Sequence, residues 1–152
     1  MKNYTGHYFK KDILLANENQ QFIGKIVDES RWFKIQHSID YLSRTYEIKN
    51  VGFLKNDVEL SLTKQIVYFT DLGKERIIKS GNDVKIYYFK LGKINQLFEK
   101  GKLLIEIVET VKKQTKETVL EIKTDDFVED LLILLFLHYS TREFNSIGGD
   151  GD

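Results

Sequence analysis

The chain contains neither cysteine nor proline, and its charges cancel. Without cysteine there is no disulfide framework, no thiolate zinc site and no cysteine nucleophile, a composition suited to a reducing compartment. Without proline, turns fall to Gly, Asn, Asp and Ser, and no Pro-rich linker divides the chain. Lys plus Arg total 23 and Asp plus Glu total 23, so no global basic field recruits nucleic acid, and any basic patch must be local. The segment "MKNYTGHYFKKDILLANENQ" has no apolar stretch followed by a small-residue cleavage site, so no secretory signal is expected and the expected location is cytoplasmic. Long apolar runs are scarce too. The exception is Leu131 to Leu137, seven residues with nothing polar among them.

The 152 residues and a 41% hydrophobic share fit one globular domain, expected over 1–147 with a flexible tail at 148–152. Up to about residue 123 the pattern is short apolar runs broken by turn residues, and about eleven or twelve of these read as strands. The runs taken as strands begin at "DILLA" and include "WFKIQHSI", "VGFLK" and "VELSL", with "ND" between the last two read as a tight turn. Several alternate at period two. Tyr46 and Ile48 share a face, Tyr87 and Phe89 oppose Ile86 and Tyr88, and Ile105 and Ile107 oppose Leu104 and Glu106. Glycines at 73, 81, 92 and 101 recur at hairpin spacing. No βαβ crossover helices interrupt the series, so the sheet is antiparallel.

The segment "TDDFVEDLLILLFLHYSTREFN" reads instead as one helix from about 125 to 144, with Thr124 as N-cap and acidic residues in its first turns. A membrane span needs about 20 apolar residues, and Glu129, Asp130, His138, Arg142 and Glu143 leave far fewer. A helix apolar on every side in a soluble chain is enclosed by protein. Cans of about eleven strands can hold a central helix, which smaller barrels cannot. The fold expected is therefore mainly β: a closed antiparallel barrel around a buried hydrophobic C-terminal helix.

That layout, carried by "DDFVEDLLILLFLHYS" and by "ILLANENQQFIGKIVDESRWFKI", resembles the tubby C-terminal-like superfamily and its LURP-one-related branch. The resemblance implies a twelve-stranded barrel around its helix. It also implies a phospholipid-binding role, since some tubby-type domains hold phosphoinositide head groups. No binding residue of that family aligns to a position here.

Residue constellations are sparse. His7, His37 and His138 lack metal-ligand spacing, and no cofactor motif occurs. The pairs Glu47/Lys49 and Glu121/Lys123, with Asp28, Asp40 or Glu109 as a further acid, resemble the metal-binding strand of restriction-like nucleases, but an alternating solvated strand has the same pattern. Lys74, Arg76 and Lys79, with Lys85, form one candidate anion patch, and Lys112, Lys113 and Lys116 another. The aromatic runs at 32–33, 68–69 and 87–89 are expected to fill the barrel interior and cover its outer face. The function expected is a non-enzymatic interaction module that binds anionic phospholipid head groups on its outer surface, without metal or cofactor. A protein scaffold with no lipid role is the alternative, and a metal-dependent nuclease a third reading. The partner is accordingly an anionic membrane surface or a protein, and nucleic acid is disfavoured.

Overall fold

The computed structural model describes residues 1–142. Twelve antiparallel strands form a closed barrel: β1 (Lys2–Phe9), β2 (Asp12–Asn17), β3 (Phe22–Asp28), β4 (His37–Tyr41), β5 (Arg44–Val51), β6 (Asp57–Leu62), β7 (Gln65–Asp71), β8 (Arg76–Lys79), β9 (Lys85–Lys90), β10 (Ile94–Glu99), β11 (Lys102–Val111) and β12 (Thr118–Thr124). Each strand pairs with its neighbours in sequence, and β1 pairs with β12 to close the wall. Closure leaves no free sheet edge. One helix, α1 (Asp130–Thr141), runs inside.

Period-two alternation does the sorting. Leu15, Ile39, Leu60, Ile77 and Leu97 point inward and are fully buried, each on a different strand. Tyr46 and Ile48 face in, as do Tyr87 and Phe89, whereas Ile86 and Tyr88 face out. On β11 the alternation slips. The register passes from Leu97↔Ile105 to Phe98↔Leu103, so Leu104 is the extra residue of a bulge, and it is buried together with Ile105.

From Leu131 to Tyr139 every helix residue is buried, which answers the question raised by an all-apolar run. Each buried Leu or Phe contributes about 1.5–3 kcal/mol through water exclusion. The wall makes room for the helix by omitting side chains. A Cβ at Gly24 would lie 2.8 Å from the Asp40 carbonyl oxygen and 2.9 Å from Leu134 Cδ1, and one at Gly6 would lie 3.5 Å from Leu137 Cδ2.

Several local expectations are corrected. The strand count is right through two cancelling differences: "VGFLK" is loop after Val51, which ends β5, and Lys2–Phe9 is a strand whose inward positions include Gly6, which hides the alternation. "ND" is not a tight turn, since Asn56 ends a five-residue loop and Asp57 begins β6. "WFKIQ" is loop, and β4 starts only at His37. The helix is twelve residues, about 18 Å long, because Asp125 to Glu129 form a turn in which the Asp125 amide donates to the Leu104 carbonyl. Thr124 ends β12 instead of capping the helix, and the N-cap position is Glu129. The helix stops at Thr141, with Arg142 already extended and so short of the expected 144, while residues 143–144 and the tail at 148–152 lie outside the described residues. Turns are also not confined to Gly, Asn, Asp and Ser. Leu42–Ser43 and Thr63–Lys64 take positive φ as two-residue connections, because the twist of paired strands demands primed turns and twelve-strand closure outweighs the local cost. The glycines at 73, 81, 92 and 101 do sit in connections between strands.

Candidate functional site

The interior is occupied by the helix, so chemistry must be sought on the wall and at the two mouths. Alternating strand direction sends the connections after odd-numbered strands to one mouth and those after even-numbered strands to the other, where α1 enters.

At the entry mouth the acidic start of the helix is tied to the wall. Tyr68 Oη donates to Glu129 Oε1, Lys79 Nζ lies 3.2 Å from Glu129 Oε2, and Tyr4 Oη donates to Asp130 Oδ1 at 2.8 Å. These carboxylates also complement the positive end of the helix dipole. Burial, followed by the neighbouring carboxylate, raises both tyrosine hydroxyls well above their ordinary range, so they serve as fixed donors. A depression of about 140 Å³ lies here, lined by Lys79, Lys85, Tyr87, Glu99, Phe127 and Glu129 among others. Small-molecule sites occupy about 300–1,000 Å³, so this one falls short.

The exit mouth has the opposite character. Its six connections carry ten lysines and arginines against three glutamates, and all ten cations are exposed: Lys10, Lys11, Arg31, Lys34, Lys55, Lys74, Lys93, Lys112, Lys113 and Lys116. The entry mouth carries two lysines against five acidic residues in its connections and helix-entry segment. The connections at the exit mouth are thus strongly basic, with Asp12, Asp28, Asp57 and Asp71 at the strand ends beside them. Two adjacent loops of the basic mouth also project aromatic side chains. Trp32 and Phe33 in the β3–β4 loop are each 93% exposed and packed edge to face at 5.6 Å, and Phe53 in the β5–β6 loop is 98% exposed. Ile35 and Leu54 are exposed beside them. The expectation that Trp32 and Phe33 belong to the wall is therefore overturned, whereas Tyr68, Tyr87 and Phe89 are buried in it.

Beneath these loops the last turn of the helix meets their roots. His138 stacks on His37 with ring centroids 4.8 Å apart, and His37 Nε2 lies 3.5 Å from Asp28 Oδ2. Asp28 and His37 are register partners that bracket the β3–β4 loop. Tyr139 Oη donates to the Asn56 carbonyl oxygen at the end of the β5–β6 loop, and Arg142 Nη1 donates to Asn50 Oδ1 at 3.1 Å on β5. Burial, with His37 and the Arg142 guanidinium nearby, pulls the His138 imidazole down to about 3. Burial works to raise the Asp28 carboxyl, but hydrogen bonds from Ser30 and the nearby His37 outweigh it and hold it below the ordinary range.

The residues expected to form an anion patch are dispersed. Lys74 ends a short 3-10 turn (Leu72–Lys74) at the basic mouth, Arg76 starts β8 and pairs with Asp71 at 2.8 Å, and Lys79 ends β8 on Glu129 at the acidic mouth. Lys74 and Arg76 both lie at the basic end, where Asp71 neutralises Arg76. Lys112, Lys113 and Lys116 fall together in its β11–β12 loop. Glu47 and Lys49 lie on the exposed outer face of β5, and Glu121 and Lys123 on that of β12. Among the described residues no group of three His, Asp or Glu side chains is placed to hold a metal, and no helix is long and apolar enough to cross a membrane. The aromatic loops escaped the sequence reading because "WFKIQHSI" imitates a strand. The signal available was the two flanking cations, Arg31 and Lys34, with no period-two partner pattern behind them.

No family model, curated protein or solved structure matches the chain.

Proposed function

We propose that this protein is a non-enzymatic module that docks on anionic phospholipid membranes through its basic mouth, with the aromatic loop tips entering the interfacial layer. The observation that carries this reading is the coincidence of ten exposed cations with Trp32, Phe33 and Phe53 at one end of the barrel. Each Lys or Arg near an anionic leaflet contributes about 1 kcal/mol, and aromatic rings favour the headgroup level. Exposed aromatics are costly in water and need a partner that covers them. A filled barrel interior favours a ligand held outside it, as the reading requires. A tubby-like kinship is part of the same proposal, resting on the twelve strands and the central helix.

The test is co-sedimentation with vesicles of phosphatidylcholine alone and with added phosphatidylserine, at physiological salt. Trp32 is the single tryptophan, so its emission reports directly on the loop tip. Binding to the anionic vesicles alone, weakened by added salt and accompanied by a blue shift, is the expected result. Absence of binding to the anionic vesicles would leave the protein-scaffold reading in place of this one.

A further inference from the structure

The last turn of α1 touches the roots of both aromatic loops, through His138 on His37 and through Tyr139 on Asn56. We propose that this turn is an acid-sensitive latch: with His138 neutral it holds the β3–β4 and β5–β6 loops in register, and protonation of His138 releases them. The inference rests on the docking role proposed above and supplies its regulation.

The geometry leaves a proton on His138 poorly placed. The residue is 4% exposed, and its Nε2, like Nδ1 of His37, is buried without a hydrogen-bond partner in the protein. The charged and titratable groups around the pair are Asp28 from β3, His37 from β4 and Arg142 from the helix itself, with Lys11 acting on Asp28 and Asp57 of β6 acting on Arg142. Of the groups acting on His138, only Asp28 favours a cation there, and its carboxylate already accepts from the Ser30 amide and faces His37. An imidazolium at His138 must therefore move toward water.

The direction with pH follows from linkage. His138 is held at about 3 in the closed state against an ordinary value of 6.5. Between these limits the open state binds the extra proton, so falling pH favours opening, and from pH 7 to pH 5 the open fraction rises about 25-fold. Opening must also lift Tyr139, which is fully buried with its ring 5.4 Å from that of Phe89, while Leu131 to Leu137 keep their places in the core. An anionic bilayer concentrates protons at its surface, so approach to the membrane pushes the latch the same way.

Hydrogen exchange on the full chain, at pH 7 and pH 5 and corrected for intrinsic chemistry, tests the latch without lipid. Amides of 29–37 and 138–142 should open about 25-fold more readily at pH 5 while 131–136 stay slow. His138→Phe, which cannot protonate, should abolish the difference, and His138→Gln serves if the larger ring disturbs folding. An unchanged opening at pH 5, or a pH response that survives both substitutions, overturns the latch. Vesicle binding at pH 7 tests the docking reading by itself. Binding with pH-independent exchange removes the latch alone, and acid-sensitive exchange without any vesicle binding removes the docking reading and its regulatory meaning.

Discussion

At the mouth where the helix enters, the carboxylates of Glu129 and Asp130 meet tyrosine hydroxyls and a lysine supplied by the wall. At the mouth where it ends, two imidazoles stack with buried nitrogens unsatisfied, and ten cations and three aromatic rings lie exposed above them. The first arrangement anchors. The second stores free energy that a change of pH or a partner can draw on, because unsatisfied buried groups and exposed rings both cost stability. One helix thus has a tied end and a responsive end.

Substitutions along the helix axis should expose that difference. The largest effect belongs to the middle, where the ends cannot compensate: Leu134→Asp places an unpaired charge in the core and should abolish folding, read by loss of the cooperative thermal transition. Gly24→Ala comes next. Its Cβ meets backbone at Asp40 as well as Leu134, so the helix or β3 must shift, costing about 1–3 kcal/mol in denaturant unfolding. At the responsive end, the wild-type chain should lose about 2 kcal/mol between pH 7 and pH 5 through His138, since the unfolded state takes up a proton that the folded state refuses. A stability curve flat across that interval would contradict the assignment. At the tied end, Tyr68→Phe removes one hydrogen bond to Glu129 and should cost about 1–2 kcal/mol, with no added pH dependence between 5 and 7. Trp32→Ala and Phe53→Ala should change stability by less than about 0.5 kcal/mol, because both side chains touch little of the fold, while weakening vesicle binding.

The sequence made the architecture legible and the mouths illegible, for one physical reason. Barrel and helix are written in hydrophobic periodicity, which is local: "KIYYFK" alternates, "LLILLFL" does not, and each pattern dictates its own burial. The basic cluster at the exit mouth is written in nothing local. Lys10, Lys55 and Lys113 are far apart in sequence and share an end only because odd strands all finish there. The patch Lys74, Arg76, Lys79 failed for the converse reason. It is compact in sequence, but β8 is a strand, so its two ends reach opposite mouths and find Asp71 and Glu129 as partners. His37 and His138 stand in the sequence as separate histidines without metal-ligand spacing. Their stacking required the register of β4 against the last turn of the helix, which no spacing rule supplies.

The order of the elements also has a kinetic consequence. Each strand pairs with the one before it, so the wall can zip up hairpin by hairpin as the chain is synthesised. The segment that fills the interior, Asp130–Thr141, follows the last strand. Until it emerges, Leu15, Ile39, Leu60, Ile77 and Leu97 have no native partner at the barrel axis, and the growing sheet presents an apolar concave face. Nascent chains of this protein therefore pass through a stage in which nearly all of the wall exists and none of its filling does, and the emergence of the Asp130–Thr141 segment ends their exposure to aggregation and chaperone capture.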